Sequence, residues 1–301
     1  MIQSRRSTLL ALASFALAAC GKRKEEAATT PGGAPRVVSL SPSTTEAVFS
    51  LGAGPALVGR SRYCDSPAEA KRLPAVGGYA DPNVEAILAL QPTLVVGARG
   101  PAGPALEETL RAHGVATFFP ETESIAQIEQ MLLDLGQRLG VEPAATRTVA
   151  RMHTRCEAVE AAAQGRPRVR VALLFDAGPL VAAGPGGFPD ELLRRVGGEN
   201  VITRGGPYPT LSIEALLALD PEVLLDATEV HEGAPGPSRL LALRDTPGFR
   251  ELRAMREGHI RVLDSATALR PGPRICDGLA AVARAVHGDA LALPALPEEA
   301  P

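Results

Sequence analysis

The sequence predicts an α/β protein: two similar α/β lobes joined by a single long backbone helix, with a ligand cleft between them. Three observations predict it. Short apolar runs rich in β-branched residues alternate with helix-period segments along most of the chain. One glycine-free stretch near the middle is long enough to act as a strut. A nine-residue pattern before that stretch returns after it.

The first residues read as an export signal. Arg5 and Arg6 precede an apolar run over 9–17, and small residues follow. A bilayer span needs ~20 consecutive apolar residues, so this run is too short to be one. Leu17-Ala18-Ala19-Cys20 resembles a bacterial lipoprotein box, which makes Cys20 the expected lipidation site and 1–20 the signal peptide. Residues 21–35 are charged, then rich in Ala, Thr, Gly and Pro, without an apolar period. They read as a flexible spacer. No later segment has the length and apolarity of a membrane span. The expected location is therefore the periplasm or cell exterior, with the lipid as the only attachment to a membrane.

The N-terminal lobe is expected over 36–141. Residues 37–40 read as strand, 43–51 as helix, 94–97 as strand, 105–113 as helix, 115–119 as strand and 124–139 as helix. Ser124 and Gln127 have the spacing of a capping box. A linking helix is expected over 142–166. It has Pro143 in its first turn and Gly165 beyond its end. About twenty residues at ~1.5 Å each make a rod of roughly 30 Å. In the C-terminal lobe, 167–290, strands are expected at 169–175, 223–226 and 260–263. Helices are expected at 189–196 and 274–286. Residues 291–301 read as a flexible tail.

The repeat joins the two halves. Residues 84–92 read VEAILALQP and 213–221 read IEALLALDP, each followed by an apolar strand. The acid, the proline and the apolar phase all coincide, so two related lobes should face each other across a cleft, where small ligands bind.

Composition removes several functions. The 31 basic and 34 acidic residues leave a net charge of −3, and Lys71 is the last lysine. No basic stripe carries interleaved aromatics, which argues against nucleic acid. His113, His153, His231, His259 and His287 stand singly, without metal spacing, and read as surface or helix-end residues. The Gly184-Pro185-Gly186-Gly187 turn lacks the Lys-Ser/Thr of a phosphate loop. Neither G-x-S-x-G nor H-E-x-x-H occurs, so a lipid-anchored periplasmic hydrolase is disfavoured and no enzymatic activity is expected. With Cys20 set aside, Cys64, Cys156 and Cys276 remain. They fit either one disulfide and a free thiol or three buried thiols.

Candidate ligand contacts come from loops. Tyr63, Tyr79 and Tyr208 are the only tyrosines, and each lies among Gly, Pro and Asp. A ring with a hydroxyl suits packing on a flat organic ligand. Phe188, after the glycine turn, is expected at the cleft edge. Arg270, in Arg270-Pro271-Gly272-Pro273-Arg274, is expected to hold an anionic group. For Arg274, in the first turn of the last helix, a structural bond to a loop carbonyl stands beside a role at the site.

Residues 37–46, VVSLSPSTTE, resemble the opening of helical-backbone (class III) periplasmic binding proteins. Tyr63-Cys64-Asp65-Ser66-Pro67, Val84-Glu85-Ala86-Ile87, Gly197-Gly198-Glu199-Asn200 and the Arg270–Arg274 loop extend the resemblance over 36–288. It implies a solute-binding protein that serves an ABC importer, a permease dimer with its ATPase. Among the branches the chain is most similar to the vitamin B12 (cobalamin) binders, with haem or iron-siderophore binding as the alternative. The resemblance implies aromatic cleft residues at Tyr63, Tyr79 and Tyr208, and no resident cofactor is expected. Glu85 and Glu214, each in the first turn of a helix of the repeat, suit the helix dipole and, one per lobe, are expected to dock on arginines of the permease. Cobalamin-binding relatives often carry Trp at two of those aromatic positions and an acid where this chain has Ala266. Both differences bear on the ligand.

Overall fold

The computed structural model describes residues 33–99, 103–228, 238–288 and 291–293. In the first lobe the order is β1 (Val37–Ser39), α1 (Pro42–Ser50), β2 (Leu57–Arg60), α2 (Val84–Ala89), β3 (Leu94–Val96), α3 (Gly103–Ala112), β4 (Ala116–Phe118) and α4 (Ile125–Leu139). Its sheet runs β2-β1-β3-β4, and every pairing is parallel.

The linking helix is α5 (Glu142–Ala163), and it starts with proline in its first turn as the sequence predicts. The second lobe follows with β5 (Val169–Ala177), β6 (Leu180–Ala182), α6 (Phe188–Arg195), β7 (Gly198–Asn200), β8 (Thr210–Leu211), α7 (Ile213–Leu219) and β9 (Val223–Asp226). It ends with α8 (Arg239–Ala242), α9 (Arg253–Arg256), β10 (Ile260–Val262), α10 (Ser265–Ala268) and α11 (Ile275–His287). Its sheet runs β10-β9-β5-β6-β8, and β7 also pairs with β5. Strands β6 and β8 are antiparallel, so this sheet is mixed.

Side-chain alternation divides the core. Val37, Leu94 and Val96 point one way from the first sheet, while Val38 and Val95 point the other. Val171, Leu173, Val223 and Leu225 do the same in the second sheet, opposite Ala172, Leu174 and Leu224. The inner faces of both sheets belong to one continuous apolar cluster, which includes Ala145, Met152, Cys156, Val159 and Ala163 of α5. The strut is therefore packed along its length between the lobes. A disulfide between Cys156 and Cys276 joins α5 to α11 across 120 positions, and Cys64 is a buried free thiol.

The repeat is visible in the structure. Asn83 accepts a hydrogen bond from the Ala86 amide at the start of α2, and Ser212 accepts one from the Ala215 amide at the start of α7. Gln91 (φ 47°) and Asp220 (φ 44°), the two non-glycine residues with positive φ among those described, occupy equivalent places before the proline.

Two expectations need correction. Phe188 is buried, with 5% of its surface exposed, and packs in the shared core rather than at a cleft edge. Leu291 is buried and Leu293 packs against the same core, so ordered packing continues beyond residue 290. Cys20 and His231 lie outside the described residues. Among those described, no helix is long and apolar enough to cross a membrane.

Candidate functional site

In an open α/β sheet, ligands gather beyond the carboxyl ends of the strands. The expected site residues of the first lobe lie at those ends. Tyr63 follows β2 and is 48% exposed; Tyr79 lies in the next loop and is 39% exposed. The Arg62 amide donates to the Gly77 carbonyl at 2.8 Å, and the Arg62 guanidinium pairs with Asp81, which fixes one loop on the other. Gly77 needs φ 104°, and a Cβ there would meet the Asp81 carbonyl oxygen at 2.6 Å, so this position requires glycine. The Arg62 guanidinium lies 5.6 Å from the centre of the Tyr63 ring. The Tyr79 hydroxyl donates to the Arg99 carbonyl just beyond β3. Arg99 in turn pairs with Glu121 at 2.8 Å.

The second lobe brings Tyr208, 43% exposed, in the loop before β8. Phe175 of β5 packs edge-on against it, with ring centres 5.6 Å apart and planes at 62°. Tyr208 Oη donates across the cleft to Glu123 at 2.9 Å. Burial pushes the Tyr208 phenol well above its ordinary range. The Glu123 charge, its hydrogen bond and nearby Tyr79 push the same way. Burial, then the same Glu123 charge, raises Tyr79. Tyr79, Glu123, Tyr208 and Phe175 thus form one group drawn from both lobes. Close by, Glu191 of α6 accepts from the Ile125 amide at 2.9 Å and caps α4 from the other lobe.

A second bridge is buried. Glu46 of α1, its side chain 5% exposed, pairs with both Arg270 and Arg274. Arg274 holds it in a fork, Nε to Oε2 and Nη2 to Oε1, each at 2.8 Å. Arg270 also reaches Asp65 at 3.2 Å. The loop between the arginines lies close on α1: a Cβ at Gly272 would be 3.4 Å from the Ser43 carbonyl oxygen. Arg270 is thus already matched by carboxylates rather than free to receive an anion. Arg274 bonds the same Glu46 carboxylate.

Hydroxyls at the start of α1 fix the turn that leads into the helix carrying Glu46. Ser41 caps the helix, Ser41 Oγ and Ser39 Oγ each lie 2.8 Å from Thr44 Oγ1, and the Ala98 amide donates to Ser41 at 3.1 Å. Glu46, Asp65, Glu123 and Phe175 did not appear as site candidates in the sequence. The acid at the end of the 37–46 motif was the available signal for Glu46.

Glu85 and Glu214 are both exposed in the first turns of α2 and α7. Among the described residues no group of His, Cys, Asp or Glu is placed to hold a metal ion. His153 pairs with Glu129 and His259 with Glu257. His113 bonds the Thr109 carbonyl and His287 the Val196 carbonyl. A separate hollow of about 510 Å³ lies near the amino end of β5, lined by Arg166, Arg168, Arg195 and Glu160 among others, and away from the strand ends described above.

Removing one partner of a buried ion pair typically costs about 3–5 kcal/mol, because the other charge stays buried and unmatched. Glu46→Ala should therefore lower unfolding free energy by that order in a urea titration. A loss comparable to that of an exposed ion pair would show that Glu46 does not join the lobes.

Comparison with known proteins places this geometry. The periplasmic binding protein family matches residues 37–267. A vitamin B12-binding protein of Vibrio vulnificus strain CMCP6 is 30% identical over 242 residues, covering 79% of this chain and 85% of the relative. A periplasmic heme binding protein from Pseudomonas aeruginosa aligns with TM-score 0.73 and 31% identity, covering 87% of this chain and 96% of that one. The periplasmic vitamin B12 binding protein BtuF of Vibrio cholerae aligns with TM-score 0.71 and 26% identity, covering 84% and 96%. With its motifs, its two lobes on one long helix and a match over most of its length, the chain belongs to the periplasmic binding protein family.

Proposed function

We propose that this chain captures cobalamin or a related corrinoid outside the cytoplasm and delivers it to an ABC importer. The observation that carries the reading is the aromatic group of Tyr79, Tyr208 and Phe175, assembled from both lobes beside exposed Tyr63. Flat rings meeting at the strand ends favour a large planar ligand over a sugar or an ion. Relatives named for vitamin B12 binding support the same choice. Haem is the second reading, and the heme-binding neighbour at 31% identity favours it. Titrating the purified protein with cyanocobalamin, haemin and a ferric siderophore, followed by absorbance, separates these ligands. Replacing Tyr63, Tyr79 or Tyr208 by Ala should weaken binding of the true ligand by about 1–3 kcal/mol at little cost in stability. Lowered melting temperature at unchanged affinity would assign the rings to core packing instead.

Delivery requires docking. Glu85 and Glu214 stand at equivalent helix starts in the two lobes, and a permease dimer offers matching twofold symmetry. A hydrogen bond from its own backbone amide, then one from Ser212, hold the Glu214 carboxyl below its ordinary range. Breaking an interfacial charge pair costs about 2–5 kcal/mol when buried and less at a rim. The double variant Glu85→Ala, Glu214→Ala should keep its ligand affinity and lose uptake. Uptake at the parental rate, at equal expression, would refute docking through these acids.

The anchor rests on Leu17-Ala18-Ala19-Cys20 alone. Cys20→Ser should move the protein out of the membrane fraction, and an unchanged fractionation would remove the lipid from this reading.

A further inference from the structure

The cleft loops carry arginines that are already matched: Arg62 by Asp81, Arg99 by Glu121, and Arg270 and Arg274 by Glu46. Glu123 differs. Its Oε2 accepts from neutral Tyr208, and its Oε1 has no hydrogen-bond partner among the described residues. The glycine turn of the second lobe lies against this carboxylate: a Cβ at Gly187 would be 3.4 Å from Oε2. Glu123 therefore presents a negative charge and a vacant acceptor to whatever lies between Tyr79 and Tyr208.

We infer that Glu123 determines specificity, accepting an N–H from a macrocycle rimmed with carboxamides and turning away one rimmed with carboxylates. The inference rests on the corrinoid reading above and names what selects for it. Corrin carboxamides are neutral N–H donors, and a hydrogen bond to a carboxylate is roughly twice as strong as one between neutral groups. Haem propionates are anionic. A like charge in a partly desolvated cleft opposes them, and the matched arginines leave little to offset it. Arg204, exposed in the loop that carries Tyr208, has no ion pair among the described residues and is the competing recognition group for an anion.

The test compares the ratio of cyanocobalamin to haemin affinity, by absorbance titration of the purified chain, in wild type, Glu123→Gln and Arg204→Ala. Glu123→Gln should weaken cyanocobalamin about tenfold and tighten haemin by a similar factor, with an unchanged melting temperature. Arg204→Ala should leave the ratio alone. Should the amide disturb folding, Glu123→Ser is the second variant, with the same shift expected. Wild-type protein that binds a macrocycle with a ratio insensitive to Glu123 overturns this role and leaves the corrinoid reading standing. A wild-type preference for haemin, or a ratio governed by Arg204, overturns it as well. Wild-type protein that binds neither macrocycle overturns the corrinoid reading and this inference with it.

Discussion

One buried carboxylate sets how the two lobes meet. Glu46 is nearly closed to solvent and matched by two guanidinium groups from the other lobe. A single carboxylate in that setting cannot be left without a cation, because an unmatched buried charge costs several kcal/mol even after relaxation. The lobes must therefore approach closely enough for Arg274 to make both of its bonds. Arg270 then falls within reach of Asp65, and the Pro-Gly-Pro loop comes to rest beside Ser43. The spacing of the cleft at this edge follows from that contact.

The same spacing is supported from behind. Helix α5 packs against α4 of the first lobe and α11 of the second, in one apolar cluster that continues into α6. Moving one lobe as a rigid body would strip apolar area from that helix, at roughly 25 cal/mol per Å² exposed. The Cys156–Cys276 bridge ties the helix to α11 within the same cluster. Lobe geometry is thus fixed at the back by packing and at one edge of the cleft by charge.

These two constraints differed in legibility. Period and punctuation reveal α5, because a long segment free of glycine with proline at its start has few other solutions. The repeat was equally plain: caps, acid and proline recur at identical offsets, and the positive-φ residues Gln91 and Asp220 recur with them. Strands β6, β7 and β8 were not legible. They have two or three residues each, too few to show a period, and β7 is Gly-Glu-Asn, which pairs through backbone rather than apolar side chains. Phe188 misled because a glycine turn says where the chain bends, not which way the next side chain points. In the structure its ring turns into the core at the first residue of α6. The pairing of Arg270 was hidden because its partner Glu46 lies 224 positions away, and charge complementarity over such a distance leaves no local pattern.

The Tyr208–Glu123 and Glu46–arginine bridges are also unequal in energy. A hydrogen bond such as Tyr208 to Glu123 contributes about 0.5–1.5 kcal/mol net, and water can replace either partner where the site is half exposed. Separating Glu46 from its arginines offers no comparable replacement, since the carboxylate is buried. Of these two contacts, the one at Tyr208 is the weaker tie between the lobes and the one at Glu46 the stronger. Under the proposed function the ligand meets the weaker tie, so no buried charge loses its partner when it binds.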